Sequence, residues 1–365
     1  MILLSVVIYI TFFENKISAN DLDLAKGVVQ DNPDFIWGAT TSSYQFDGYN
    51  EKTAQKQIDI INDLGINTVR LALEREVSFN PFKINYDKKA NDDFIARLAK
   101  DKKNIVLVVD GDIIDTADIK NFNQENIGYQ MGLYAARRYK DKVKYFQIAN
   151  EVTGTAIKPS DSTWSGPTFK GDYNIEYSTD RYNSLLAWLK GLQRGIRETD
   201  PKAKIVISGH WHLYFIINKL IQDGIDPDVI GWAWYSDDGL DITQRDIGDG
   251  QSVNLIQKLK SFKRPVWIIE TNSTKGSYNE KAGRVDENYQ ASFFIKFIPN
   301  LLKTGMVDGI FAFPLFDTPV FADNRGDSES HWGLVKVKKD LEGNPSFQSK
   351  KAFEIFRDFI LAGQK

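Results

Sequence analysis

Eight short apolar runs, each followed by a longer stretch of helical periodicity, constrain this chain more than any other feature. They read DFIWGAT (34–40), NTVRLAL (67–73), NIVLVVDG (104–111), VKYFQIANE (143–151), KIVISGH (204–210), DVIGWAWYS (228–236), PVWIIET (265–271) and DGIFAFPLFD (308–317). Runs this continuously apolar are typical of strands covered on both faces, as in a parallel sheet. Helix patterns lie between and after them, at 51–64, 92–102, 125–139, 181–198, 211–223, 251–262, 288–302 and 348–361. The fourth of these carries Leu185, Leu186, Trp188, Leu189 and Leu192 on one stripe, and Asp200-Pro201 stops it. Eight strand–helix units predict an α/β fold of one domain, a closed (β/α)8 barrel. An open doubly wound sheet usually has a Gly-rich phosphate loop after its first strand, and WGATTSSYQFDG is not one.

Such a barrel puts its chemistry at the C-terminal ends of its strands. The polar residues there are Arg70, Asp110, Asn150, Glu151, His210, His212, Tyr235, Glu270 and Asp317. Glu151 ends the fourth run and Glu270 the seventh, so the two carboxylates can face each other across one mouth. A lone Glu at a strand end more often caps a helix or pairs with an arginine. Two such residues flanking a cleft fit hydrolysis of a glycosidic bond. One protonates the leaving oxygen, while the other attacks the anomeric carbon or activates water. Two acids with different roles need different surroundings. Arg70 and Tyr235 can stand beside Glu270 and lower its pKa; Glu151 follows an apolar run, and partial burial would raise its pKa. Asn150 offers a neutral donor for a sugar hydroxyl.

Together these residues resemble the clan A glycoside hydrolases. The likeness rests on Arg70 after the second strand, Asn150-Glu151 after the fourth, Tyr235 after the sixth and Glu270 after the seventh. It covers roughly residues 34–361. The first strand, IWGATTSSYQFDG, and the segment HWGLV also resemble the family 1 β-glucosidases. The resemblance implies a TIM barrel and a retaining mechanism, with Glu151 as acid/base, Glu270 as nucleophile and Asn150 on the 2-hydroxyl. No cofactor is implied. Clan members often carry a tryptophan under the sugar after strand eight, where this chain has Phe313 or Phe316. The Asn-Glu-Pro and Glu-Asn-Gly signatures of family 1 are replaced by IANEV and IETN. The departures bear on the substrate more than on the reaction.

The remaining features narrow the function class. With 46 Lys+Arg against 49 Asp+Glu, a net charge of −3 and no basic tract, no nucleic-acid partner is expected. There is no cysteine, so disulfides and thiolate chemistry within the chain are excluded. His210 and His212 would need Asp110 or Asp317 to complete a metal site, and there is no H-E-x-x-H, so no metal is expected. A sugar-binding or orienting role fits the two histidines better, and Asp110 and Asp317 can bind hydroxyls or hold loops. Trp37, Trp164, Trp211, Trp234 and Trp332 are candidate stacking platforms for a sugar ring. Long loops at 153–180 and 318–346 can wall the cleft. Residues 2–13 form an apolar run too short to span a bilayer, and Ala19 supplies a small residue for cleavage. Residues 1–19 read as a secretory signal and 20–365 as the catalytic barrel. The expectation is a secreted or periplasmic, envelope-facing monomer that acts on carbohydrate and has no stable membrane span once the leader is gone. A metal-dependent barrel hydrolase, a transglycosylase and a non-catalytic carbohydrate-binding barrel remain as alternatives.

Overall fold

The computed structural model describes residues 16–42, 50–79, 82–109, 122–152, 178–247, 250–279, 281–318, 329–339 and 344–364. Eight parallel strands close on themselves: β1 (Ile36–Thr41), β2 (Thr68–Ala72), β3 (Asn104–Val108), β4 (Tyr145–Ala149), β5 (Lys204–His210), β6 (Val229–Tyr235), β7 (Val266–Asn272) and β8 (Gly309–Ala312). Each pairs with its neighbours in sequence, and β8 returns to pair with β1. The (β/α)8 fold is therefore the observed one.

Among the described residues the α-helices are α1 (Ala19–Asp31), α2 (Glu51–Leu64), α3 (Lys88–Lys100), α4 (Gln124–Tyr139), α5 (Thr179–Thr199), α6 (Tyr214–Gln222), α7 (Leu255–Lys260), α8 (Glu287–Lys303) and α9 (Lys351–Gln364). Local chemistry sets several of their ends. Asn50, Asp87, Asn123, Ser178 and Asp286 accept first-turn amides as N-caps, and Gly65 closes α2 at a positive φ. Further elements lie outside the eight predicted units. One is α1, which packs against α8 and α9. The others are antiparallel strand pairs: the hairpin Arg75–Phe79 with Phe82–Tyr86 after β2, Val335–Lys339 with Pro345–Ser349 before α9, and the short pairs Arg245–Asp246 with Ser252–Val253 and Tyr278–Asn279 with Arg284–Val285.

Side-chain parity divides the barrel wall into two layers. Ile36, Val106, Tyr145, Val206, Val229, Trp267, Ile269 and Phe311 form the apolar plug inside the ring. The intervening residues, such as Val69, Leu71, Phe146, Ile207, Trp232, Ile268 and Ile310, join the larger core beneath the helices. Gly38 shares the inward parity of Ile36, and the position has no room for a side chain, since a Cβ there would lie 2.3 Å from the Phe311 ring.

Two strands break this parity. On β7, Ile268 pairs with Trp232 and Glu270 with Ala233, so two residues oppose one. On β4, Gln147 pairs with Val206 and Ala149 with Ile207, again two against one. These are β-bulges, and each turns the rest of its strand over. With Trp267 and Ile269 inward, strict alternation would send Glu270 outward; the bulge brings it back to the axis. With Tyr145 and Gln147 inward, alternation would place Ala149 inside and Asn150 outside; the bulge reverses them.

Candidate active site

The C-terminal mouth of the barrel gathers a connected polar cluster. Glu270 is 4% exposed. Its Oε1 lies 2.8 Å from Nη1 of Arg70, which is equally buried, and its Oε2 accepts from the Tyr235 hydroxyl at 2.8 Å. Arg70 also donates to Gln147 Oε1 (2.7 Å), Asn150 Oδ1 (2.7 Å) and Thr40 Oγ1 (3.3 Å). Strands β1, β2, β4, β6 and β7 thus meet on one guanidinium and its carboxylate.

Glu151 stands half-buried just past β4, with its backbone at φ +43°. That left-handed conformation costs a residue with a side chain about 1–3 kcal/mol and survives where surrounding bonds impose it. Here β5 imposes it. The Glu151 N–H donates to Ser208 Oγ (3.1 Å), the Val152 N–H donates to the Ser208 carbonyl (3.0 Å), and the His210 ring bonds the Glu151 backbone.

Burial pushes the Glu270 carboxyl above its ordinary range, and the negative charge of Glu151 adds to the push. Arg70 and the Tyr235 hydroxyl pull the other way. The expectation that these two partners would simply lower it is corrected, because a fully enclosed carboxylate loses more to desolvation than they restore. Tyr235 is driven well up by the same burial and by both carboxylates, which keeps it protonated as a donor. Burial holds the His210 imidazole down at about 4, so it is neutral near pH 7. Asp238 accepts the Tyr235 N–H (3.0 Å), pairs with Arg245 (3.0 Å) and is pushed up to about 6 by burial.

The aromatic candidates separate by parity. Phe313 is half-buried at the mouth, with ring centroids 6.4 Å from Tyr235 and 6.1 Å from Trp332; Tyr235 and Trp332 are 5.4 Å apart. These three rings form an aromatic wall at the mouth, with Tyr235 on Glu270. Trp37 and Trp234 are corrections. Each is an outward residue on its strand, 3% and 0% exposed. Trp37 packs edge-on against Phe356 of α9. Trp234 stacks on Phe297 of α8 and donates to the Gly239 carbonyl (2.9 Å). Neither can lie under a sugar. Trp211 is half-buried at φ +55° with its ring edge-on to His210, and His212 is half-buried beyond the strand end. Asp317 pairs with buried Lys350 at 2.6 Å, tying the end of β8 to the segment before α9. Asp110 and Trp164 lie outside the described residues.

Gln147, Ser208 and Thr40 complete the cluster and were not singled out from sequence. Gln147 had a signal: it is the lone polar residue in the interior of YFQIA. Among the described residues, no group of three or more His, Cys, Asp or Glu side chains could hold a metal ion.

The chain matches no protein-family model and no curated protein. Solved structures do match it. The family 1 β-glucosidase of Thermotoga maritima superposes with a TM-score of 0.62 at 13% identity, over 91% of this chain and 98% of that one. The β-glucosidase of the same organism in complex with deoxynojirimycin gives 0.61 at 14% identity, over 90% and 98%. Its complex with glucoimidazole gives 0.60 at 14%, over 90% and 98%. The likeness is one of fold. It spans nearly the whole of both chains.

Proposed function

We propose that this chain is a retaining glycoside hydrolase that cleaves β-linked O-glycosidic bonds in an oligo- or polysaccharide by double displacement. One observation carries the reading. A buried carboxylate at the end of β7 has one oxygen on an arginine and the other on a tyrosine, and a second carboxylate after β4 stands near enough for its charge to act on the first. Glu270 attacks the anomeric carbon and forms a glycosyl ester, while Glu151 gives its proton to the departing oxygen. Water then loses a proton to Glu151, attacks the same carbon and releases Glu270. Arg70 and Tyr235 orient the attacking carboxylate. Asn150 meets the hydroxyl next to the anomeric carbon, and Phe313, Tyr235 and Trp332 offer ring faces to the sugar. The fold shared with the Thermotoga β-glucosidases supports this reading at the level of architecture.

The test is a panel of aryl β-glycosides and polysaccharides assayed with wild type and Glu270→Ala. Turnover in the wild type and a loss of at least about 10³-fold in the variant are expected. A 2-deoxy-2-fluoro glycoside should label Glu270 covalently. Wild-type-like turnover in Glu270→Ala ends the nucleophile assignment. Sugar binding without turnover in the wild type would favour a binding barrel, and loss of activity with a chelator a metal enzyme.

We also infer export, on the apolar run at residues 2–13 and the small residue Ala19. No described helix is long and apolar enough to cross a membrane. Protein recovered from a secreting host should begin near residue 20, and recovery only of an uncleaved chain inside the cells would contradict this.

A further inference from the structure

We propose that Gln147 is a positioning residue for the reaction above, setting the polarity of the Asn150 amide and keeping a second anion off the guanidinium of Arg70. The inference rests on the glycosidase reading. Its starting point is that Gln147 is completely buried on the inner face of β4, and both ends of its amide are engaged. Oε1 accepts from Arg70 Nε at 2.7 Å. Nε2 donates to the Ala149 carbonyl (3.0 Å), Asn150 Oδ1 (3.0 Å) and Ser208 Oγ (3.1 Å).

The donor rules fix every orientation in this chain of bonds. A guanidinium only donates, so the Gln147 atom facing Arg70 is its oxygen. The Gln147 NH2 group therefore faces Asn150, and it too only donates. The Asn150 atom that meets both Gln147 Nε2 and Arg70 Nη2 must then be its oxygen. Ser208 Oγ lies 3.2 Å from the same atom. With Oδ1 held by these neighbours, Asn150, which is exposed at the mouth, presents its NH2 end on the opposite side. That is the polarity needed to donate to the oxygen of a sugar hydroxyl.

A carboxylate at position 147 would overturn this order. It only accepts, so it would face the Ala149 carbonyl and Asn150 Oδ1 at about hydrogen-bond distance with no proton between them. Asn150 could relieve the clash only by turning its amide, which would strand Arg70 Nη2. The new anion would also compete with Glu270 for the arginine. Shape hardly distinguishes Gln from Glu here; charge and donor polarity do.

The experiment compares wild type, Gln147→Glu, Gln147→Met and Ser208→Ala on an aryl β-glycoside that the wild type cleaves and on its 2-deoxy counterpart. For Gln147→Glu, kcat/KM on the parent should fall about 10- to 100-fold further than on the 2-deoxy substrate, because the lost bond is one that strengthens in the transition state. The acid limb of its kcat/KM profile should move to higher pH. Gln147→Met and Ser208→Ala should narrow the preference for the 2-hydroxyl without moving the acid limb. They keep the proposal testable should the Glu variant fail to fold. Equal losses on both substrates, with an unmoved limb, would reduce Gln147 to packing and overturn the proposal. A carbon-13 titration of the Glu270 carboxyl needs no turnover. An upward midpoint in Gln147→Glu supports the proposal and an unchanged one overturns its electrostatic part, whether or not the wild type proves to be a hydrolase. Absence of hydrolysis by the wild type sinks the glycosidase reading separately.

Discussion

Arg70 and Glu270 are nearly inaccessible to water, and each makes the other tolerable there. A buried pair broken on one side leaves an uncompensated charge, which typically costs about 3–5 kcal/mol. Arg70→Met should destabilise by that order in urea titrations, and it should raise the acid limb of any kcat/KM profile because the pull that offsets burial on Glu270 is gone. A normal midpoint with an unmoved limb would contradict the pairing. His210 makes a second prediction. Its folded pKa of about 4 lies below the unfolded value, so folding favours the neutral ring. The stability this contributes is complete above about pH 6.5 and is lost as pH falls towards 4, a change on the order of 3 kcal/mol. His210→Gln should flatten that part of the stability curve. Of these residues, Asn150, Glu151, His210, Tyr235 and Glu270 were legible in the sequence as polar residues at the close of apolar runs, and Arg70 as a lone cation inside the second run, where the structure places it in the middle of β2 rather than at its end. Gln147 and Ser208 were not taken up: a polar residue inside an apolar run marks itself, as Gln147 does in YFQIA, but the neutral side chain does not say which partner it meets.

At the scale of elements, two bulges decide which side chains reach the mouth, and one helix pair packs through its glycines. The bulges on β4 and β7 cannot be read from VKYFQIANE or PVWIIET, where period-two alternation sends Asn150 and Glu270 the wrong way. The same alternation, undisturbed on β1 and β6, sends Trp37 and Trp234 into the helix layer. Helices α4 and α5 approach backbone to backbone at four glycines. A Cβ at Gly128, Gly132, Gly191 or Gly195 would lie 2.0–2.4 Å from a carbonyl oxygen of the other helix. Gly191→Ala should therefore force the helices apart and cost about 1–3 kcal/mol or more. Chemical denaturation tests this, and an alanine at half-buried Gly239, where a Cβ meets nothing within 4 Å but φ is +100°, measures backbone strain alone for comparison. The spacing of four between the glycines on each helix was present in the sequence, although nothing local indicated which helix would receive it. Helix α1 was missed because its partners are α8 and α9, which lie at the far end of the chain.

The whole molecule separates an apolar plug from a polar cluster along the barrel axis. The apolar plug around Tyr145, Trp267 and Phe311 fills the N-terminal half of the ring, and the polar cluster fills the opposite mouth. Trp267→Ala should cost about 3–5 kcal/mol by opening a cavity in that plug. It should leave the pH profile of activity unmoved at temperatures where the variant is folded; a shifted profile would mean the halves are coupled. Removing residues 1–33 should likewise lower the melting temperature, since α1 covers apolar faces of α8 and α9. The order of strands and helices, the closed ring and the end at which the polar residues gather were all set by local chemistry along the chain: runs that must be buried on both faces, amphipathic stretches to cover them, and polar residues where the runs stop. What only the tertiary structure decided was which of those polar and aromatic side chains share a space. Inward or outward is a matter of parity, and parity depends on how each strand pairs with a neighbour made of residues far away in sequence.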